Sequence, residues 1–358
     1  MTTIRAALTA MGFGVSVFAA AELPSPLPEV AADVVQVDRY PVQEVAFPKG
    51  VKGIPAIVYW NPMGYRPLRL DLYLPPASFP RPTTGFPLVV YIHGGGWMSG
   101  DTRRNGAFVD FPGVLASLSA KGYVVASIEY RLSGEAKFPA QAHDVKAAIR
   151  WLRLNAAKYG IDPARAVTWG ESAGAHLAAL AAVSCRAPGL EPEEAIKSGA
   201  GATPDIALVD VSDCVQGAVS WFGVFDIATI TDQARKTKAL SRDLPEAPEW
   251  RLLGCFAAKC RRKQIAAASP ASYVDPSDPP MLLIAGSEDT IVPHRQTLAM
   301  AEKLRSAGVK HELIVLAGVG HHFLGKTLEQ TRDANLKALE ATFRFIEQTT
   351  GNVSAANR

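Results

Sequence analysis

Three short segments hold residues whose types and spacing suit acyl-transfer chemistry. The first is Gly170-Glu171-Ser172-Ala173-Gly174, which directly follows the apolar run Ala166–Trp169 and directly precedes an alanine-rich helical pattern. A serine on a tight strand-to-helix turn has its hydroxyl lifted clear of the sheet and sits at a helix N-terminus, where backbone N–H groups favour developing negative charge. Gly170 and Gly174 suit a turn that passes close to neighbouring strands. The second is His93-Gly94-Gly95-Gly96-Trp97, at the end of the apolar run Leu88–Ile92. Three consecutive glycines are costly in chain entropy, so bare backbone is needed there. The N–H groups of Gly95 and Gly96, with that of Ala173, would form an oxyanion hole for a tetrahedral intermediate, each donor worth roughly 3 kcal/mol. His93 reads as a residue that fixes this loop, and no Lys-Ser/Thr follows to make it a phosphate loop. The third, Gly318-Val319-Gly320-His321-His322, follows the run Leu313–Leu316 and supplies two histidines as candidate bases.

Strands and helices must position these segments. Apolar runs recur at 56–60, 68–74, 88–92, 124–128, 166–169, 218–221, 281–284 and 313–316, and that at 68–74 alternates as a half-buried strand does. Helical patterns at 142–155, 173–184, 296–307 and 328–348 lie between or after them. Strand and helix in alternation predict an α/β fold, a mostly parallel sheet wrapped by helices. Residues 227–268 break the rhythm, with charge, proline and mixed helical pattern, and are expected to form a small lid or cap. Residues 186–213 are a second excursion.

The two glycine motifs together resemble those of α/β-hydrolase carboxylesterases of the hormone-sensitive-lipase-like and BD-FAE-like groups. Glu129-Tyr130-Arg131-Leu132, Phe138-Pro139-Ala140, Asp144–Ala148, Trp151-Leu152 and Ser269-Pro270 agree with it, over roughly residues 55–348. The resemblance implies an α/β-hydrolase fold and the chain order serine, acid, histidine. On that order the acid is Asp289, in the loop Gly286–Pro293 after the run 281–284, with Glu288 the competitor and Asp278 less suited because it precedes the strand. The base is His321, directly after Gly320, with His322 the competitor. His143-Asp144 precedes the serine and reads as structural, His176 as a packing residue and His294 as surface. Trp97 and Trp221 are candidates to line a substrate pocket and equally candidates for the core.

The implied reaction is attack of Ser172 on an ester carbonyl, with His321 as base and Asp289 orienting it. Its rate should fall on acidification as the imidazole takes up a proton. Acetyl or feruloyl esters of plant polymers are conceivable substrates; no metal or cofactor is implied. A serine peptidase of the same fold and a non-catalytic binding member are the alternatives.

The chain has 358 residues, 48% hydrophobic and 20% charged, with net charge +3. Those proportions suit a globular protein with a large core and exclude collagen-like and largely disordered classes. Its 37 basic residues are dispersed, which argues against a nucleic-acid or anionic-lipid partner. Arg5, then an uncharged and mostly apolar stretch Ala6–Ala21 ending in Phe18-Ala19-Ala20-Ala21, reads as a signal peptide over 1–21, with a retained anchor helix as the alternative. Export to a secreted or periplasmic location follows. A Pro-rich lead-in over 22–54 and a tail over 349–358 would flank the 55–348 domain. Four cysteines in an exported chain suggest disulfides; sequence proximity favours Cys185–Cys214 and Cys255–Cys260 among three possible pairings, and the second requires a helix break.

Overall fold

The computed structural model describes residues 43–191 and 211–351. The readings made for 1–21, 22–42, 192–210 and 352–358 lie outside the described residues. Nine strands among the described residues form one sheet: β1 (Val45–Ala46), β2 (Lys52–Trp60), β3 (Leu68–Leu74), β4 (Phe86–Ile92), β5 (Val124–Ile128), β6 (Ile161–Glu171), β7 (Gly217–Trp221), β8 (Met281–Gly286) and β9 (His311–Leu316). Their order is β1-β2-β3-β5-β4-β6-β7-β8-β9. The β1–β2, β2–β3 and β3–β5 pairs are antiparallel, and all pairs from β5 through β9 are parallel.

Helices cover both faces, which explains the unbroken apolar runs. On β4, Leu88, Val90 and Ile92 enter one core, with residues of α2 (Ala140–Leu154), α4 (Ala173–Val183), α5 (Ile227–Thr237), α6 (Pro248–Leu253) and α8 (Arg295–Ser306). Val89 and Tyr91 enter the other, with α1 (Phe111–Ser119) and α9 (Leu328–Thr350). The remaining α-helices among the described residues, α3 (Ala156–Tyr159) and α7 (Arg262–Ala267), are short. No helix among the described residues is long and apolar enough to cross a membrane.

Two expectations change. The lead-in does not run to 54: Lys52, Gly53 and Ile54 already pair with Leu74, Tyr73 and Leu72, and Val51 is buried. An edge hairpin gains its backbone hydrogen bonds without a long apolar run, so periodicity understates it. The 227–268 stretch also divides. Ile227, Ile230 and Ala234 of α5 are buried in the helical layer, whereas Arg242, Pro248 and Glu249 line the cavity beside Ser172. Both disulfides are present, Cys185–Cys214 and Cys255–Cys260, with Cα separations of 4.8 and 5.3 Å. The helix break expected between Cys255 and Cys260 is there: α6 ends at Leu253, and only a single 3-10 turn, Ala257–Lys259, precedes α7.

Candidate active site

Ser172 occupies the junction of β6 and α4 with φ 51° and ψ −117°, a conformation L-residues rarely adopt and one that clusters at active sites. Close packing enforces it. A Cβ on Gly170 would lie 2.3 Å from the Gly174 carbonyl oxygen, and one on Gly174 would lie 2.0 Å from that of Ile92. The Ser172 N–H donates to the Trp221 carbonyl on the neighbouring β7 at 2.8 Å.

Two loops from the parallel half of the sheet converge on this serine. The loop after β9 brings His321, whose Nε2 lies 3.1 Å from Ser172 Oγ. The loop after β8 brings Asp289, whose Oδ2 lies 2.7 Å from His321 Nδ1. The other Asp289 oxygen accepts the N–H groups of Ile291 (2.8 Å) and Val292 (2.9 Å), which fixes the carboxylate. Glu288 and Asp278 take no part in this chain of bonds. It runs acid, imidazole, hydroxyl, the arrangement that activates a serine.

A cavity of about 720 Å³ opens beside Ser172. Gly95, Gly96 and Ala173 line it, and no carbonyl among the described residues accepts their N–H groups. Met98, Val224, Ile291, Val292 and Leu324 make much of the wall apolar. Trp97 belongs to this wall, held from behind by its indole N–H donating to His176 Nδ1 at 3.2 Å.

Trp221 does not line the cavity, which corrects the pocket reading. Its side chain enters the core on the α1/α9 side of the sheet, fully buried between Trp169 and Phe323, and its indole N–H donates to Thr342 Oγ1 at 3.0 Å. Only its backbone carbonyl serves the elbow.

His93 and His176 take the structural places expected of them, while His294, expected at the surface, is half-buried. His93 stacks on Tyr130 at 4.4 Å and bonds the Gly94 carbonyl at 2.8 Å through Nδ1. Burial lowers its pKa, against the Gly94 bond and the charge of Glu171. His176 is fully buried, with Nε2–H donating to the Ala268 carbonyl at 2.7 Å. Burial pushes its pKa down to about 4 despite that bond, so it is neutral. Asp144 pairs with Arg131, at 2.7 Å from its guanidinium, and burial pushes its pKa up to about 6.

Two features escaped the sequence reading. His322 bonds Glu171, the residue just before the serine, with Nδ1 at 3.0 Å from Oε2. Arg242, wholly buried with Glu249, bonds that carboxylate at 3.1 Å and also donates to the carbonyls of Leu240 (2.6 Å) and Ile291 (2.9 Å). The Leu240 N–H donates to the Thr290 carbonyl at 2.6 Å, next to Asp289. A His directly after the base and an acid directly before the nucleophile were the only signals for the first pair; nothing in the sequence pointed to the second. No group of three or more His, Cys, Asp or Glu among the described residues is placed to hold a metal ion.

A mostly parallel sheet with helices on both faces, a serine elbow after β6 and acid and histidine loops after β8 and β9 define an α/β-hydrolase. The family model of BD-FAE matches residues 70–304, and that of the dienelactone hydrolase family matches 264–350. The chain belongs to the BD-FAE family. It is 31% identical to Esterase LipQ of Mycobacterium tuberculosis over 62% of this chain and 46% of that protein. It is 30% identical to Esterase LipC of the same organism, over 68% of this chain and 54% of that one. The chain spans about half the length of these curated relatives. Among solved structures, a truncated carbohydrate esterase from gut microbiota matches with a TM-score of 0.63 and 27% identity, covering 84% of this chain and 96% of that one.

Proposed function

We propose that the chain is an exported serine carboxylesterase that cleaves short-acyl esters through an acyl-enzyme on Ser172. The hydrogen-bonded series Asp289–His321–Ser172 carries this reading. Ser172 Oγ attacks the ester carbonyl while His321 Nε2 takes its proton. Asp289 accepts the Nδ1–H of His321, holding the tautomer that leaves Nε2 free as base and stabilising the imidazolium that forms. The N–H groups of Gly95, Gly96 and Ala173 receive the oxyanion, and their freedom from other acceptors supports that role. His321 then returns the proton to the leaving alcohol, and water repeats the cycle to release the acid.

Relatives named as esterases support ester substrates over amides. The modest, largely apolar cavity suits a short acyl chain, free or on a polymer such as an acetylated or feruloylated glycan. Trp97 backs the wall against which that chain would lie. Two disulfides support passage through an oxidising compartment, with residues 1–21 as the signal for export. In this reading the sheet and helices from Val45 to Thr350 form the catalytic domain, and the 242–249 part of 227–268 caps its pocket.

Hydrolysis of 4-nitrophenyl acetate through decanoate by wild type, Ser172→Ala and His321→Ala tests the proposal. The expected result is turnover of the short chains by wild type and collapse in both variants. Activity that survives Ser172→Ala would remove the elbow from the mechanism.

A further inference from the structure

The turn that carries His321 carries a second imidazole that the triad does not use. The side chain of His322 is 33% exposed and lines the same cavity as Ser172, while its partner Glu171 is only 5% exposed. Several contacts hold it in place. Its backbone sits at φ 57°, in the left-handed region, and its carbonyl accepts Asn335 Nδ2 at 3.2 Å. The Phe222 ring meets it edge-on at 5.4 Å. Gly106 packs so closely that a Cβ there would lie 2.8 Å from His322 Nδ1. A strained residue so thoroughly determined by its surroundings is a common mark of a ligand-contacting position.

With Nδ1 committed to Glu171, the nitrogen left for the cavity is Nε2, which has no hydrogen-bond partner among the described residues. Burial would favour the neutral ring, but the bond to Glu171 and its charge, with Asp289 beyond, raise the His322 pKa. The protonated ring presents Nε2–H as a charge-assisted donor, and the neutral one presents Nε2 as an acceptor.

We propose that His322, clamped by Glu171, is a specificity-determining residue that binds an oxygen on the leaving alcohol, such as the hydroxyl next to the ester in a glycerol or sugar ester. This rests on the serine-esterase reading above. The alcohol side is assigned by position. His321 must reach the leaving oxygen to return its proton, and the His322 ring, on the same turn, is centred 4.6 Å from the His321 ring. A polar nitrogen in a largely apolar wall orients a ligand more than it adds affinity.

Ethyl acetate and glycerol monoacetate give the same acyl-enzyme and differ only in the alcohol, so the ratio of their kcat/KM values isolates the contact. Both are followed by pH-stat with wild type, His322→Leu, His322→Gln and Glu171→Gln. Wild type should favour the glycerol ester, and His322→Leu should reduce the ratio by roughly tenfold through loss of one hydrogen bond. His322→Gln, which keeps an amide near the Nε2 position, should recover part of it. Glu171→Gln, which keeps the shape of the clamp, should give an intermediate ratio and serves as the readout should the leucine variant fail to fold. An unchanged ratio in the folded His322 variant, or in Glu171→Gln should it stand in, overturns the proposal while leaving the esterase reading intact. Wild type inactive on both esters overturns the esterase reading and the proposal with it.

Discussion

Two carboxylate–imidazole pairs stand side by side in this molecule, and they differ in what the second nitrogen of each imidazole meets. Asp289 is fully buried, its far oxygen holds two backbone N–H groups, and its partner His321 turns Nε2 onto the hydroxyl of Ser172. Glu171 is nearly as buried, yet its partner His322 turns a third of its side chain to the cavity and meets no hydroxyl among the described residues. The residues are adjacent in sequence, and the left-handed backbone at His322 lets their rings diverge, at 69° to each other. Acid and imidazole in contact do not define a catalytic pair; the geometry beyond the imidazole does.

The largest expected effect separates the two histidines outright. On 4-nitrophenyl acetate, His321→Ala should lower kcat by on the order of 10⁶, and His322→Ala by less than about tenfold, an estimate that follows from one lost hydrogen bond. Similar losses in initial-rate assays would break the comparison. The two acids should divide in the same way. Asp289→Asn, which leaves the shape but favours the wrong tautomer, should cost about 10⁴ in kcat, and Glu171→Gln about tenfold at most.

A third imidazole, without any carboxylate, sharpens the contrast. The folded-state pKa of His176 is pushed down to about 4, below the unfolded value near 6.5, so the unfolded chain binds the extra proton first. Wild type should therefore lose stability as pH falls from about 6.5 to about 4, by about 3 kcal/mol relative to His176→Gln, measured by denaturant unfolding. Asp144, raised to about 6, drifts the opposite way, its contribution falling as pH rises from about 4 to about 6, but equally in both proteins. The smallest effect belongs to His322. Its raised pKa contributes stability that is present below the unfolded imidazole value and lost as pH rises through the folded one. The gap in Tm between wild type and Glu171→Gln should thus be a few degrees at pH 5 and narrow by pH 8. A gap that widens with pH would reverse the assigned sign.

The elbow was legible because three local signals agree there: an apolar run, two glycines that permit close approach, and a helix former straight after the serine. The sheet was legible for the same reason at every buried strand. What stayed hidden depended on which face a residue takes. Trp97 lies in the loop after β4, whereas Trp221 ends β7, a doubly covered strand with no polar alternation to tell one face from the other, and goes to the face away from the pocket. Helix α1, which the sequence reading did not single out, opens on Phe111-Pro112-Gly113, where Pro is tolerated at a helix start and Asp110 caps it by accepting the Gly113 N–H at 2.9 Å. Glu171 fills the variable position of a motif whose pattern says nothing of its partner, 151 residues away.

Arg242 links two segments that line the cavity beside Ser172. One guanidinium joins the capping segment, through Leu240 and Glu249, to the loop that holds Asp289, through Ile291. Segment and loop are therefore tied through one side chain, so an outward movement of residues 240–249 would have to break these bonds or carry the Asp289 loop with it. Such a pocket gains width only by exchanging side chains that project into it, Met98, Pro248 or Leu324 among them, so relatives sharing this tether should differ in acyl range through those positions while keeping a fixed roof.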